Sequence, residues 1–239
     1  MFVKIQNDIY HQTLQTSTKL QRLNEAYLRF VPREFLRLLN KESIIKTGLG
    51  DYSNIEMCIM FSKVHIYCPA NRVSLEEHFH IFDEYLKRVS PIIKEHNGFV
   101  SKFLSGGFMA LFPKSEIDAV LAALEIKKCI DDYNVLLSTR NHKIEAWMGI
   151  HFGKMIIGTI GEENRLDDTV ISDTVNTSSR IESVCEKLGK TIIVSQEVIN
   201  QIEKTSTQNA VASFNMNRLE DVYVKGKEMA LQIYEVKEL

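Results

Sequence analysis

Long apolar runs, paired cysteines, abundant proline and an excess of one charge are all missing from this 239-residue sequence, and each absence narrows what the protein can be. The most apolar stretches, around Trp147 and over residues 154–160, are broken by charge or glycine long before the roughly 20 residues a membrane-spanning helix needs. The opening MFVKIQNDIYHQ lacks the continuous apolar core of a signal peptide. Cys58, Cys68, Cys129 and Cys185 form no CxxC and no paired spacing, so thiols of a cytoplasmic protein explain them better than a disulfide framework or a zinc site. With 29 basic against 31 acidic side chains the net charge is −2, which argues against a nucleic-acid binder or a membrane contact within the chain. Only 4 prolines and no Ser/Gly-rich tract leave no long flexible linker, so one compact unit with an N-terminal extension is the simplest organisation.

What is present is 44% apolar residues, enough for a sizeable core, arranged in alternating helical and strand periods. Leu14, Leu20, Leu23, Tyr27 and Leu28 return to one face of an amphipathic helix over about residues 8–30, stopped by Pro32 and followed by a short helix at 34–39. The run IEMCIMFSKVHI at 55–66 suits a central strand buried on both faces, which leaves Lys63 in need of an explanation. Ser74 and Glu77 form a capping box that opens a helix reaching about residue 95. Strands at 99–104 and 108–112 flank Ser105-Gly106-Gly107, the composition of a hairpin turn. A helix at 117–137 follows, then strands at 143–152 and 154–160 expected to pair across Gly153. A polar loop, GEENRLDDT, leads to a helix at 173–188, a strand at 191–194, a helix at 195–203 and closing strands near 214–217 and 231–236. These βαββαβ elements predict an α+β, ferredoxin-like fold, a mostly antiparallel sheet with helices packed on one face. Residues 1–40 are read as a helical extension or transducer, and residues 41–239 as the folded domain.

Five ordered segments carry a resemblance. They are LNEAYLRFVPREFLRLL (23–39), GFVSKFLSGGFMALFP (98–113), WMGIHFGKMIIGTIG (147–161), TVISDTVNTSSRIE (169–182) and VYVKGKEMALQIYEV (222–236). Together they resemble the class III nucleotide cyclase family, the catalytic domain of adenylate and guanylate cyclases. The resemblance implies conversion of a nucleoside triphosphate to a cyclic nucleotide and pyrophosphate at the interface of a head-to-tail dimer. One protomer's two aspartates hold two Mg or Mn ions, and the facing protomer binds substrate and stabilises the transition state.

Carried over residue by residue, the substrate-binding set is complete. Lys102 stands at the base-reading lysine and Thr169 at its companion, which points to adenine. Asn176 and Arg180, four apart on one predicted helix, stand at the catalytic transition-state pair, and Lys225 at the triphosphate lysine. The metal set is not. The family's strand L-F-S-D-I-R reads MFSKVHI here and places Lys63 at the first aspartate; its hairpin G-D reads Ser105-Gly106 and places Gly106 at the second. A lysine there reverses the charge a divalent cation needs, so no cofactor is expected for this chain alone.

Plainer readings stand beside these. Lys63 as a strand lysine whose ammonium reaches water, Lys102 and Lys225 as surface lysines, Arg180 paired to Glu182 or Asp173, Gly106 as a turn residue and His151 as a satisfied structural histidine all fit ordinary proteins. The resulting expectation is a degenerate cyclase domain, inactive as a homodimer, that binds ATP or another nucleoside triphosphate and serves as the substrate-binding half of a heterodimer. The alternatives are an active adenylate cyclase with relocated metal ligands and a purely regulatory dimerisation module.

Overall fold

The structure is a computed structural model that describes residues 2–27, 32–68, 74–139, 141–163, 165–205, 214–223 and 230–239. Helix α1 (Phe2–Tyr27) is longer at its start than its periodicity suggests, and Leu14, Leu20 and Leu23 on it are exposed. Helix α2 (Arg33–Leu38) buries Phe35 and Leu36. Strand β1 (Tyr52–Tyr67) leads to helix α3 (Leu75–Glu95), whose Ser74 cap accepts a hydrogen bond from the Glu77 amide at 3.1 Å. Strands β2 (Phe99–Leu104) and β3 (Gly107–Phe112) form the expected hairpin, and helix α4 (Glu116–Ser138) follows. Then come β4 (Lys143–Glu162), β5 (Arg165–Ile171), α5 (Asp173–Leu188), β6 (Ile192–Ser195), α6 (Gln196–Thr205), β7 (Phe214–Arg218) and β8 (Ile233–Glu238). No helix among the described residues is long and apolar enough to cross a membrane.

The strands form one sheet in the order β2-β3-β1-β4-β6-β8-β7, with β5 pairing β4. Of the pairings between described strands only β4 with β6 is parallel. Strand β1 is central, as its apolar run predicts. Cys58, Met60 and Val64 enter a core with α3, α4 and α6, while Met57 and Ile59 point the other way into a core with Phe35 and Leu39.

Three expectations are corrected. Residues 143–162 are one continuous strand, not two strands paired across Gly153; β1 pairs with it along its whole length, Gly153 opposite Met57. The reversal comes later, beyond Glu162, so that much of the expected polar loop is strand β5. Finally, helices cover both faces of the sheet: α3, α4 and α6 one, α5 and α2 the other.

Candidate functional site

Helix α5 begins with Ser172 accepting from the Val175 amide at 3.1 Å and ends at Gly189, whose φ of 63° is the left-handed conformation that closes helices. One face of it is seated on strand main chain. Thr174 Oγ1 donates to the Lys154 carbonyl at 2.8 Å, and Ser178 Oγ lies 2.9 Å from both the Ile59 and Gly149 carbonyls, either of which can take its proton. Further along the same helix, Cys185 Sγ is 3.3 Å from the Met148 carbonyl. Two glycines permit the approach. A β-carbon at Gly149 would fall 2.2 Å from the Glu182 amide nitrogen, and one at Gly153 would fall 2.5 Å from Thr174 Oγ1. Gly153 therefore makes room for the Thr174 side chain of a helix crossing the strand, not for a turn.

Because the seated stripe runs through Thr174, Ser178 and Cys185, Asn176 and Arg180 face elsewhere. Asn176 is exposed and Arg180 half-buried, and neither hydrogen-bonds or pairs with another described residue. Arg180 is thus not spent on Glu182.

Lys102 lies on β2 just after a bulge between Val100 and Lys102, and Thr169 lies on β5 opposite Gly158. The ammonium of Lys102 is 3.9 Å from Asp167 Oδ2, which brings it to the strand segment that carries Thr169. Burial raises the neighbouring Asp168 carboxyl, Lys102 lowers it, and Asp167 raises it again. Lys225 lies outside the described residues. A cleft of about 620 Å³ between the start of β1, β4 and the first residues of α5 holds none of these side chains.

Lys63 stands on β1 opposite Gly107 of β3 and Trp147 of β4. It turns toward α5: its ammonium is 2.6 Å from Glu186 Oε2 and 5.8 Å from the centre of the Trp147 ring. Beside it Glu182 is buried, with Oε1 lacking any hydrogen-bond partner. Burial pushes the Glu182 carboxyl up to about 7; Lys63 pulls it down and Glu186 adds to the rise. Gly106 occupies the β2–β3 turn at φ 84°, its carbonyl accepting from the Val64 amide at 2.7 Å. An ammonium at 63 and no side chain at 106 are not the donors of a divalent-cation site. Among the described residues no three His, Cys, Asp or Glu side chains are grouped to hold a metal ion.

His151 is buried with Nδ1 2.7 Å from Ser195 Oγ, a satisfied structural position. Sequence alone does not single out Glu186, and it offers Glu182 only as a partner for Arg180. The available signal is phase, since Glu182 lies four residues beyond Ser178 and so on the seated face.

The sheet is thus mostly antiparallel, with β5 pairing β4 off the main strand path and helix α5 laid on the backbone of the central strands. The family model described as Adenylate and Guanylate cyclase catalytic domain matches residues 51–237, and the chain belongs to that family. An adenylate cyclase of Anabaena cylindrica is 31% identical over 227 residues, covering 92% of this chain and 44% of its own length. The terminal-differentiation specific adenylate cyclase of Dictyostelium discoideum is 30% identical, covering 91% of this chain and 10% of its own. The chain thus spans less than half the length of these relatives. Among solved structures, a bacterial light-regulated adenylyl cyclase superposes with a TM-score of 0.73 at 20% identity, covering 96% of this chain and 64% of that one. The adenylyl cyclase CyaB from P. aeruginosa gives 0.63 at 22% identity, covering 79% and 96%. At these identities the structures establish the fold.

Proposed function

We propose that this chain is a cyclase-homology domain that supplies the substrate-binding and transition-state half of a composite active site and relies on a partner domain for the metal-binding half. The observation that carries the reading is an asymmetry. By motif correspondence alone, Lys63 and Gly106 fall at the positions of the family's metal carboxylates, while Asn176 and Arg180 project from a seated helix with no partner among the described residues.

In this reading Lys102 and Thr169 read the base edge, with a lean to adenine, and Lys225 binds the triphosphate. Asn176 orients the ribose. Arg180 places a fixed positive charge where negative charge builds on the reacting phosphate, an effect strongest for a preorganised donor. The partner's carboxylates would hold the divalent cations, which would supply the charge neutralisation that this chain's residues do not. A homodimer has no metal side at either composite site and is silent; a heterodimer with a cyclase domain that retains its aspartates has one working site. The domain works in the cytoplasm, and the exposed helix within residues 1–40 transmits a signal to it.

The test has two arms. Purified protein is assayed with ATP and with GTP in Mg²⁺ and in Mn²⁺; turnover by this chain alone overturns the reading. It is then mixed with an adenylate cyclase domain inactivated at its own Asn and Arg positions. Cyclic nucleotide production that disappears with Arg180→Ala upholds the composite site, and a demonstrated heterodimer without turnover rejects it.

A further inference from the structure

We infer that Lys63 is a positioning residue for the Asn176–Arg180 face, a built-in counter-ion that holds α5 down on the sheet. For what the seating serves, this rests on the proposed function; the seating itself is a property of this chain alone.

Glu182 sits at the tightest point of the α5–β4 contact, its amide directly over Gly149. The residue is 7% exposed and Oε1 finds no hydrogen bond. A buried carboxylate in that state must be compensated by a cation, take up a proton, or move out to water. Among the described residues the charged groups that act on it are Lys63 from β1 and Glu186 from its own helix, and of these two Lys63 alone is of opposite sign. The ammonium of Lys63 is anchored by Glu186 at 2.6 Å, and the Trp147 ring beside it bounds its reach. Glu186 and Glu182 are one turn apart on α5. One ammonium therefore answers both carboxylates and joins the strand to the helix.

Without that ammonium, an ionised Glu182 leaves its place by lifting this turn of α5 off Gly149. Arg180 is two residues away and Asn176 lies further back on the same helix, so the displacement reaches both. Breaking the Lys63–Glu186 bridge alone would matter little, because both side chains are nearly half exposed and such pairs are weak. The sensitive element is the buried carboxylate that loses its countercharge.

The experiment compares Lys63→Met, Lys63→Arg and the double variant Lys63→Met/Glu182→Gln with wild type. The protein alone is followed by ¹³C NMR titration of the Glu182 carboxyl and by amide exchange along α5. Lys63→Met should raise the Glu182 midpoint by about one pH unit or more. At about pH 9, above that midpoint, where Glu182 must ionise, it should also speed exchange over residues 176–186, with Lys63→Arg close to wild type and the double variant recovering protection. In the complemented heterodimer assayed at about pH 9, Lys63→Met should lower kcat about tenfold with the KM for ATP nearly unchanged, the signature of a transition-state group moved out of place, and the loss should shrink toward neutral pH as Glu182 takes up its proton. The double variant should regain most of that loss, because no buried charge then remains. An unmoved Glu182 midpoint, or a double variant no better than Lys63→Met in exchange, overturns the inference. If wild type itself gives no turnover with a partner, the proposed function falls, and titration and exchange still decide whether Lys63 seats the helix.

Discussion

Gly149 and Glu182 touch through main chain: a β-carbon on the first would lie 2.2 Å from the amide nitrogen of the second and 2.6 Å from the Ser178 carbonyl. Neither neighbour is a side-chain end that could swing aside. Gly149→Ala should therefore destabilise the fold by about 2–4 kcal/mol, at or above the usual cost of overpacking, because backbone must move. Urea unfolding measures it. A change below about 1 kcal/mol would mean that the main chains of α5 and β4 are not in contact at Gly149.

Glu182 gives stability a pH dependence with a definite sign. Its carboxyl is raised from 4.5 to about 7, so folding favours the protonated form. That contribution is fully present below the unfolded value near 4.5 and is lost as pH rises through about 7. Glu182→Gln removes the penalty. The variant should unfold at a higher temperature than wild type at pH 8.5, by up to about 3 kcal/mol for a shift of this size, and the gap should close toward pH 5. Parallel melting curves at both pH values would show that Glu182 is ionised without cost.

Asn176 and Arg180 lie on the unseated face of α5, so shortening them should spare the fold. Asn176→Ala and Arg180→Ala should shift unfolding by no more than about 0.5 kcal/mol, as for ordinary surface positions. Complemented turnover should meanwhile fall about 10²-fold or more, the loss typical of a single preorganised transition-state donor. Calorimetry and the mixed-domain assay together separate the two effects.

Restoring the acids is a sharper test of the missing half. At Gly106 the nearest atom to an added β-carbon would be 3.6 Å away, so a side chain fits in space; φ of 84° makes it strained by about 1 kcal/mol or more. Lys63→Asp removes the countercharge of Glu182, so Glu182→Gln should accompany it. The triple variant Lys63→Asp/Gly106→Asp/Glu182→Gln should acquire Mn²⁺-dependent turnover as a homodimer, while wild type assayed beside it should show none. A folded but silent triple variant would place the defect elsewhere.

Nucleotide binding by the retained half should appear without catalysis. A non-cyclisable ATP analogue at a hundredfold excess over its Kd stabilises by about 2.7 kcal/mol, easily seen as a melting shift. Lys102→Ala should abolish most of it. No shift in wild type would favour a domain used only for dimerisation.

Much of this architecture was legible in the sequence because its signals are local. The Ser74 cap and the Ser-Gly turn before Gly107 each fix an element boundary from a few adjacent residues. Gly153 misled because glycine has two uses, and the one that applies here depends on Thr174, about twenty positions away, crossing the strand. Strand β5 was hidden for another reason: RLDDTVI is too polar to show a buried face, and main-chain pairing with β4 makes it a strand. The proposed substrate-side positions rest on motif resemblance alone, whereas the Lys63–Glu182–Glu186 cluster joins residues from two distant segments.

Strand β1 pairs with β4 through all 16 of its residues, which makes the pairing an address as much as a bond. Side chains alternate along it, so that Ser62 meets the hydroxyl of Tyr85 under α3 at 3.1 Å while Lys63 meets Glu186 under α5. A slip of one residue that carries Ser62 to the place of Lys63 carries Lys63 to the buried place of Val64. It would drive an ammonium into the packed layer beneath α3 and leave Glu182 with a hydroxyl in place of its cation. Single insertions or deletions anywhere in β1 should thus be far less forgivable than most substitutions there, since each one re-addresses every side chain beyond it.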